Sequence, residues 1–269
     1  MKDIKLILTD LDGTLFTDEK NVSVYTEDVI AKAREKGILF GMATGRSLYA
    51  VENIIGTTRI RTLMDVMLGF NGAQIKEDVL GINEINNPLD GNCMKEIISH
   101  FEDLPCGFCI YVENTLYTYK DNERSRILAN ANHFDYKVIE DSNEFFKHGY
   151  PKLVIVCDSS DMPKIVERSK TFSSLDYHCM QTTPILFEYM NTKVSKSQGI
   201  ARICERHGFT MENVCVFGDA ANDRDMLEKC GLGVCMINGD DETKAISDVI
   251  TKYDNNHDGV ARFIEEYIL

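Results

Sequence analysis

Four acidic residues stand in two short groups, each directly after an apolar run. Asp10 and Asp12 lie in Asp10-Leu11-Asp12-Gly13-Thr14, after residues 4–9, and Asp219 and Asp223 lie in Gly218-Asp219-Ala220-Ala221-Asn222-Asp223, after residues 214–217. Thr44-Gly45-Arg46 follows a third apolar run at 38–43, Asn71-Gly72 a fourth at 66–70, and Lys196 sits in Val194-Ser195-Lys196-Ser197. Two carboxylates two residues apart at a strand exit reach one pocket once the backbone turns, which Gly13 permits. One of them can attack phosphorus while the other handles protons, the division of labour that covalent phosphoryl transfer needs. Carboxylates gathered from two strand ends also form the hard oxygen site that Mg²⁺ prefers, with phosphate and water completing it. Thr44 offers a hydroxyl to a phosphate oxygen, and Lys196 can supply the missing cation.

Each residue also has a plainer reading. Acidic residues at strand ends solvate turns, Thr44 can cap a helix, and Lys196 can be a surface lysine. Asp219 and Asp223 can cap a helix N-terminus, where negative charge is favoured. Four such readings holding together, in this order and each at the end of a strand or helix, is a worse account than one shared site.

The elements that must position them follow a regular rhythm. Residues 4–9, 38–43 and 66–70 read as buried strands; between the first two, a helix opened by Ser23 or Thr26 carries Val29, Ile30 and Ala33 on one face and stops at Gly37. The rhythm resumes with a helix over 200–207, a strand over 214–217, a helix over 223–229 and short apolar runs at 232–236 and 249–250. Continuously apolar strands alternating with helices predict a parallel sheet covered on both faces, and such sheets place their sites beyond the carboxyl ends of the strands.

Between these halves the pattern changes. A helix over 89–101 leads to strands at 107–112 and 115–119 joined by Glu113-Asn114; strands at 152–158, 177–181 and 185–190 and a helix from Met162 follow. This segment predicts an α+β insertion with its own core. The expected division is 1–83 with 190–269 as the doubly wound α/β core, and 84–189 as the insertion.

The chain has 269 residues, 43% of them hydrophobic, and a net charge of −14 from 29 basic and 43 acidic residues. That charge repels nucleic-acid backbones, and no Lys/Arg cluster overrides it. The absence of an apolar run of about 18 residues excludes a membrane helix, and the short, charged start 1–10 argues against export, so a cytoplasmic protein is expected. Nine cysteines then read as reduced thiols; Cys106-Gly107-Phe108-Cys109 lies where a strand is predicted and lacks further zinc ligands nearby. The six histidines show no paired spacing.

The motifs together resemble the haloacid dehalogenase superfamily in its Cof-type branch (subfamily IIB). The segment 10–14 is similar to its first motif, Ala43-Thr44-Gly45-Arg46 to its second, Val194-Ser195-Lys196 to its third, and 218–223 with Met226 to its fourth. Asn71-Gly72-Ala73 and the segments 233–238 and 256–260 add to the likeness. The resemblance implies a Mg²⁺-dependent phosphatase for a small phosphorylated metabolite such as a sugar phosphate or pyridoxal phosphate, with a Rossmann-like core and an inserted cap that sets specificity. It implies Asp10 as nucleophile, Asp12 as proton donor and then base, and Thr44, Gly45, Arg46, Asn71, Lys196 and Asn222 around phosphate or substrate. It assigns the metal to Asp10, the Asp12 backbone carbonyl and Asp219, supported by Asp223. Lys193, Ser197 and Ile237 depart from residues usual in the family. A phosphomutase on the same scaffold is an alternative. A phospho-Asp receiver domain would place its DxD elsewhere, and a silent metabolite-binding regulator fits poorly with both Asp10 and Asp12 present. The expected partner is a small molecule, with a monomer or small homo-oligomer as the assembly.

Overall fold

The computed structural model describes residues 3–269. From the N-terminus run β1 (Leu6–Thr9), α1 (Val24–Glu35), β2 (Leu39–Ala43), α2 (Leu48–Ile55), α3 (Arg59–Leu63), β3 (Val66–Gly69), β4 (Gln74–Glu77) and β5 (Ile82–Ile85). Then follow α4 (Gly91–Phe101), β6 (Cys106–Val112), β7 (Thr115–Tyr119), α5 (Glu123–Ala131), β8 (Asp135–Ile139) and α6 (Ser142–Phe145). The stretch continues through β9 (Leu153–Cys157), α7 (Met162–Ser169), β10 (Tyr177–Thr183) and β11 (Leu186–Asn191). The chain ends with α8 (Lys196–His207), β12 (Val214–Gly218), α9 (Arg224–Lys229), β13 (Leu232–Cys235), α10 (Asp241–Ala245), β14 (Val249–Ile250) and α11 (Gly259–Tyr267). Two compact units result, Met1–Glu84 with Ser195–Leu269, and Ile85–Val194.

The larger unit is built on a sheet of order β14-β13-β12-β1-β2-β3-β4-β5. Neighbours from β14 through β3 pair in parallel, as the apolar runs predict, and β4 pairs antiparallel to β3. Alternate side chains feed two cores. Ile7, Phe40, Met42, Phe217 and Val234 pack with Val29 and Ile30 of α1 and with Phe263 and Ile264 of α11. Leu6, Leu8, Leu68, Val214 and Val216 pack with Ile200 and Ile203 of α8 and with Met226 and Leu227 of α9. Each such side chain contributes about 1.5–3 kcal/mol on burial, so covering both faces outweighs any local propensity. α1 opens at Ser23, whose hydroxyl accepts the Thr26 N–H at 3.0 Å.

The smaller unit is a sheet of order β10-β11-β9-β6-β7-β8, antiparallel except for the parallel β7–β8 pair. Phe108, Ile110, Leu153, Ile155, Phe187 and Tyr189 pack one face against Met94, Ile97 and Phe101 of α4 and Ile165 of α7. The Glu113-Asn114 turn joins β6 and β7 as expected, with Glu113 at φ 50°. Cys106 opens β6 and Cys109 lies within it; all nine cysteines are free thiols. Among the described residues no helix is long and apolar enough to cross a membrane.

Candidate active site

β1 and β12 are paired at the centre of the larger sheet, and both end at a carboxylate. Asp10 follows Thr9 and donates its N–H to the Phe217 carbonyl at 2.9 Å, which fixes the start of the exit loop to the neighbouring strand. The loop then turns tightly: Phe16 N–H reaches the Leu11 carbonyl at 2.8 Å, Asp12 and Phe16 form a β-bridge, and Leu11, Leu15 and Phe16 are buried. Gly13 makes the turn at φ +78°, and a Cβ there would lie 2.6 Å from Asp219 Oδ2. Both the left-handed backbone and the close approach of Asp219 therefore require glycine at this position.

Beyond β12 the chain curls so that Asp223 Oδ2 accepts the N–H groups of Asp219 (2.9 Å) and Ala220 (3.0 Å). A Cβ on Gly218 would come within 2.5 Å of the Asp223 Cβ. Asp223 thus does cap this turn, as the plain reading allows, and it also has a second task. Its Oδ1 accepts from Lys196 Nζ at 2.5 Å, while Lys196 reaches Asp10 Oδ1 at 2.6 Å. Lys196 is the first residue of α8, whose N-cap Ser195 accepts from the Gln198 N–H. It is 1% exposed, so it is a buried ammonium and not a surface lysine. Thr14 Oγ1 donates to Asp219 Oδ1 at 2.7 Å.

Carboxylate oxygens of Asp10, Asp219 and Asp223 lie within 4.8 Å of one another. Three carboxylates against the one Lys196 ammonium leave two negative charges in a buried place. The titration behaviour follows. Burial pushes the Asp10 carboxyl up to about 8; Lys196 offsets part of that rise, and the Asp223 and Asp219 charges add to it. Burial and Asp223 push Asp219 up to about 6. Burial alone would lower the Lys196 ammonium, but Asp10 and Asp223 outweigh it and hold the proton more tightly than usual. An all-oxygen donor set whose carboxylates keep their protons for want of compensating positive charge fits a hard divalent cation.

The Asp12 carboxylate is directed elsewhere. Arg46 grips it through Nε at 2.6 Å and Nη2 at 3.0 Å, and Lys20 Nζ lies 2.7 Å from its Oδ1. Burial alone would raise its pKa, but the two cations hold it below the ordinary carboxylate range. Thr44, 2% exposed, accepts the Arg46 N–H on its hydroxyl at 3.2 Å and the Asn71 N–H on its carbonyl at 2.9 Å. Asn71, at φ 54°, accepts on its side-chain oxygen from Asn222 Nδ2 at 3.2 Å. A Cβ on Gly45 would lie 3.2 Å from that same oxygen.

The residues singled out by spacing thus fall into three linked sets. Asp10, Asp219, Asp223 and Lys196 form one cluster; Asp12 pairs with Arg46; and Asn71 joins Thr44 to Asn222. Of the three departures from family usage, Ser197 donates its N–H to Asp225 Oδ2 at 3.1 Å, so the lysine turn is held. Ile237 is 46% exposed, and Lys193 lies in the smaller unit. Lys20, which no motif spacing flags, enters through its ion pair with Asp12, and Thr14, a bystander in the sequence motif, is a direct partner of Asp219.

The sequence pattern of the haloacid dehalogenase-like hydrolases matches residues 7–264. The 5-amino-6-(5-phospho-D-ribitylamino)uracil phosphatase YitU of Bacillus subtilis is 28% identical over 272 residues, with 97% of each chain covered. The crystal structure of a haloacid dehalogenase-like hydrolase from Bacteroides thetaiotaomicron superposes with a TM-score of 0.84 at 24% identity, covering 97% of this chain and 98% of that one. A solved structure described as a HAD subclass IIB sugar phosphatase gives a TM-score of 0.80 at 20% identity, with 98% of both chains covered. The two solved structures share the α/β fold, and the extent of the family match decides membership. The chain belongs to the haloacid dehalogenase-like hydrolase family, and within it to the enzymes of the phosphatase class.

Proposed function

We propose that this protein is a Mg²⁺-dependent phosphatase that hydrolyses a small phosphorylated metabolite through an aspartyl-phosphate on Asp10. The observation that carries the proposal is the buried cluster of Asp10, Asp219 and Asp223 around one ammonium, Lys196. A nucleophilic carboxylate beside a fixed cation suits attack on a phosphoryl group, whose oxygens Lys196 can bind. Asp10 and Asp219 would hold the cation with Asp223 in support, and when bound it would neutralise the charge of carboxylates and phosphate together.

In the first step an Asp10 oxygen bonds to phosphorus, the bond from phosphorus to the leaving oxygen breaks, and Asp12 gives that oxygen its proton. In the second, Asp12 takes a proton from water; the hydroxyl oxygen attacks phosphorus, and inorganic phosphate leaves with Asp10 restored as a carboxylate. The ion pairs of Asp12 with Arg46 and Lys20 have to open first. The negative charge of an arriving phosphate competes for both cations and so releases Asp12, which then takes up from solvent the proton that it passes to the leaving oxygen. Thr44, Gly45, Asn71 and Asn222 frame the phosphate side.

The substrate class we favour is a phosphorylated sugar, polyol or related metabolite, which the activity of the ribitylaminouracil phosphatase supports. The insertion 84–189 would discriminate among such compounds, because the motifs act on the phosphoryl group that all of them share. Nine free thiols fit a reducing compartment such as the cytoplasm. Phosphate release over a panel of phosphorylated metabolites, in chelator and with Mg²⁺ restored, tests the proposal. Activity on at least one compound that disappears in chelator and returns with Mg²⁺ is expected; full activity in excess chelator would sink the metal assignment.

A further inference from the structure

We propose that Asn238, Asn255 and Asn256 are positioning residues for Asp12, clamping the loop backbone that follows it, from Gly13 to Asp18. The proposal rests on the phosphatase reading, in which Asp12 carries the proton to the leaving group. Asp12 is followed by Gly13, whose carbonyl accepts from Asn238 Nδ2 at 2.7 Å. Asp12 is bridged to Phe16, whose carbonyl accepts from Asn255 Nδ2 at 3.0 Å. The Asn255 amide also reaches Asp18 Oδ1 at 3.0 Å. Asn256 completes the grip on Asp18, accepting its N–H at 2.9 Å and donating to its Oδ2 at 3.0 Å. Two residues further on is Lys20, which holds the Asp12 carboxylate itself.

The clamp is anchored independently of the loop it holds. Asn255 is 6% exposed, and its N–H donates to Asn238 Oδ1 at 3.3 Å, which joins the two arms. Asp258, at φ 58°, accepts the hydroxyls of Ser23 (2.5 Å) and Thr26 (3.0 Å) at the start of α1. The Gly259 N–H closes back onto the Asp254 carbonyl at 2.9 Å. None of these three asparagines bonds directly to the side chains of Asp10, Asp219, Asp223 or Lys196, so the clamp acts first on the loop that carries the proton-transfer residue. A carboxylate displaced by about 1 Å can cost about 10²-fold in a step that needs it aligned. That cost falls only on substrates whose leaving oxygen must be protonated.

Leaving-group dependence therefore separates positioning from general loosening. Asn255→Ala would be compared with the wild type on p-nitrophenyl phosphate, which leaves without help, and on an alkyl phosphate, which does not. We expect kcat/KM for the alkyl phosphate to fall about 10–100-fold. The aryl phosphate should lose no more than about 3-fold at saturating Mg²⁺. Equal losses on both substrates would overturn the clamp. If Asn255→Ala does not fold by circular dichroism, Asn238→Ala and Asn256→Ala at exposed positions carry the same comparison, and uniform loss there overturns it equally. Phosphate release by the wild type with uniform loss in the variants defeats the clamp alone. No release by the wild type from either substrate defeats the phosphatase reading, and the clamp with it.

Discussion

Asp10 and Asp219 bind protons in the folded chain far above the pH at which an ordinary aspartate, near 3.8, releases them. A raised carboxyl pKa contributes stability that is fully present below the unfolded value and is lost as pH rises through the folded one. For these two groups the loss runs from about 3.8 through about 6 for Asp219 and on through about 8 for Asp10. A divalent cation displaces the same protons. The rise in Tm on adding Mg²⁺ to chelated protein should therefore grow steadily between pH 5 and pH 8, by scanning calorimetry. A Mg²⁺ increment independent of pH would contradict the placement of the cation on these carboxylates. Asp219→Asn should shrink the increment and raise the Mg²⁺ needed for activity. Cysteine chemistry belongs to the same scale: burial pushes Cys106 and Cys109 up to about 12. Neither should react with iodoacetamide at pH 8 in the folded protein, whereas both should react in denaturant.

The elements succeed or fail as sequence signals according to how apolar they are. Strands β1, β2, β3 and β12 are buried on both faces, so their runs were plain, and the site residues were legible because each follows such a strand or opens a helix. β4 was not legible: it has four residues, and its buried positions are Ile75 and Glu77. Glu77 is tolerated inside because Arg206 pairs with it and His207 Nε2 lies 2.6 Å from its carboxylate, partners over a hundred residues away. β8 was hidden for the opposite reason, being a largely exposed edge strand that includes Asp135 and Lys137. The same contrast gives two stability predictions. Lys152 and Glu188 form a buried pair at 2.6 Å in the smaller unit. Lys152→Met should destabilise the protein by about 3–5 kcal/mol in urea unfolding, because it strands a buried carboxylate; a loss under about 1 kcal/mol would mean water reaches the pair. Gly13→Ala should cost about 1–2 kcal/mol in backbone strain alone. It should also raise the Mg²⁺ requirement, since its Cβ would press on Asp219 Oδ2 at 2.6 Å. An unchanged Mg²⁺ titration would show that Asp219 can yield.

Over the whole molecule, the two units differ in how far sequence expresses what they do. The core carries motifs tied to a phosphoryl group, a ligand common to every candidate substrate, so its chemistry is legible residue by residue. The insertion is recognisable as a compact unit from its hairpins, and under the proposed division its side chains would answer to one leaving group, which no spacing encodes. The net charge of −14 adds a general repulsion for anions that Lys196, Arg46 and Lys20 must overcome locally, so raising ionic strength should lower KM for a charged substrate more than it changes kcat. Under the proposed mechanism Asp10 is the residue phosphorylated. Mass spectrometry of acid-quenched Asp12→Asn protein, mixed with p-nitrophenyl phosphate and Mg²⁺, tests it most directly, because that variant keeps the nucleophile but lacks the base for hydrolysis. An added phosphoryl group that fragmentation places on Asp10 is expected, and none on Asp10→Asn protein treated identically. A phosphoryl group on Asp10→Asn protein, or none on Asp12→Asn protein that still releases p-nitrophenol, would contradict it.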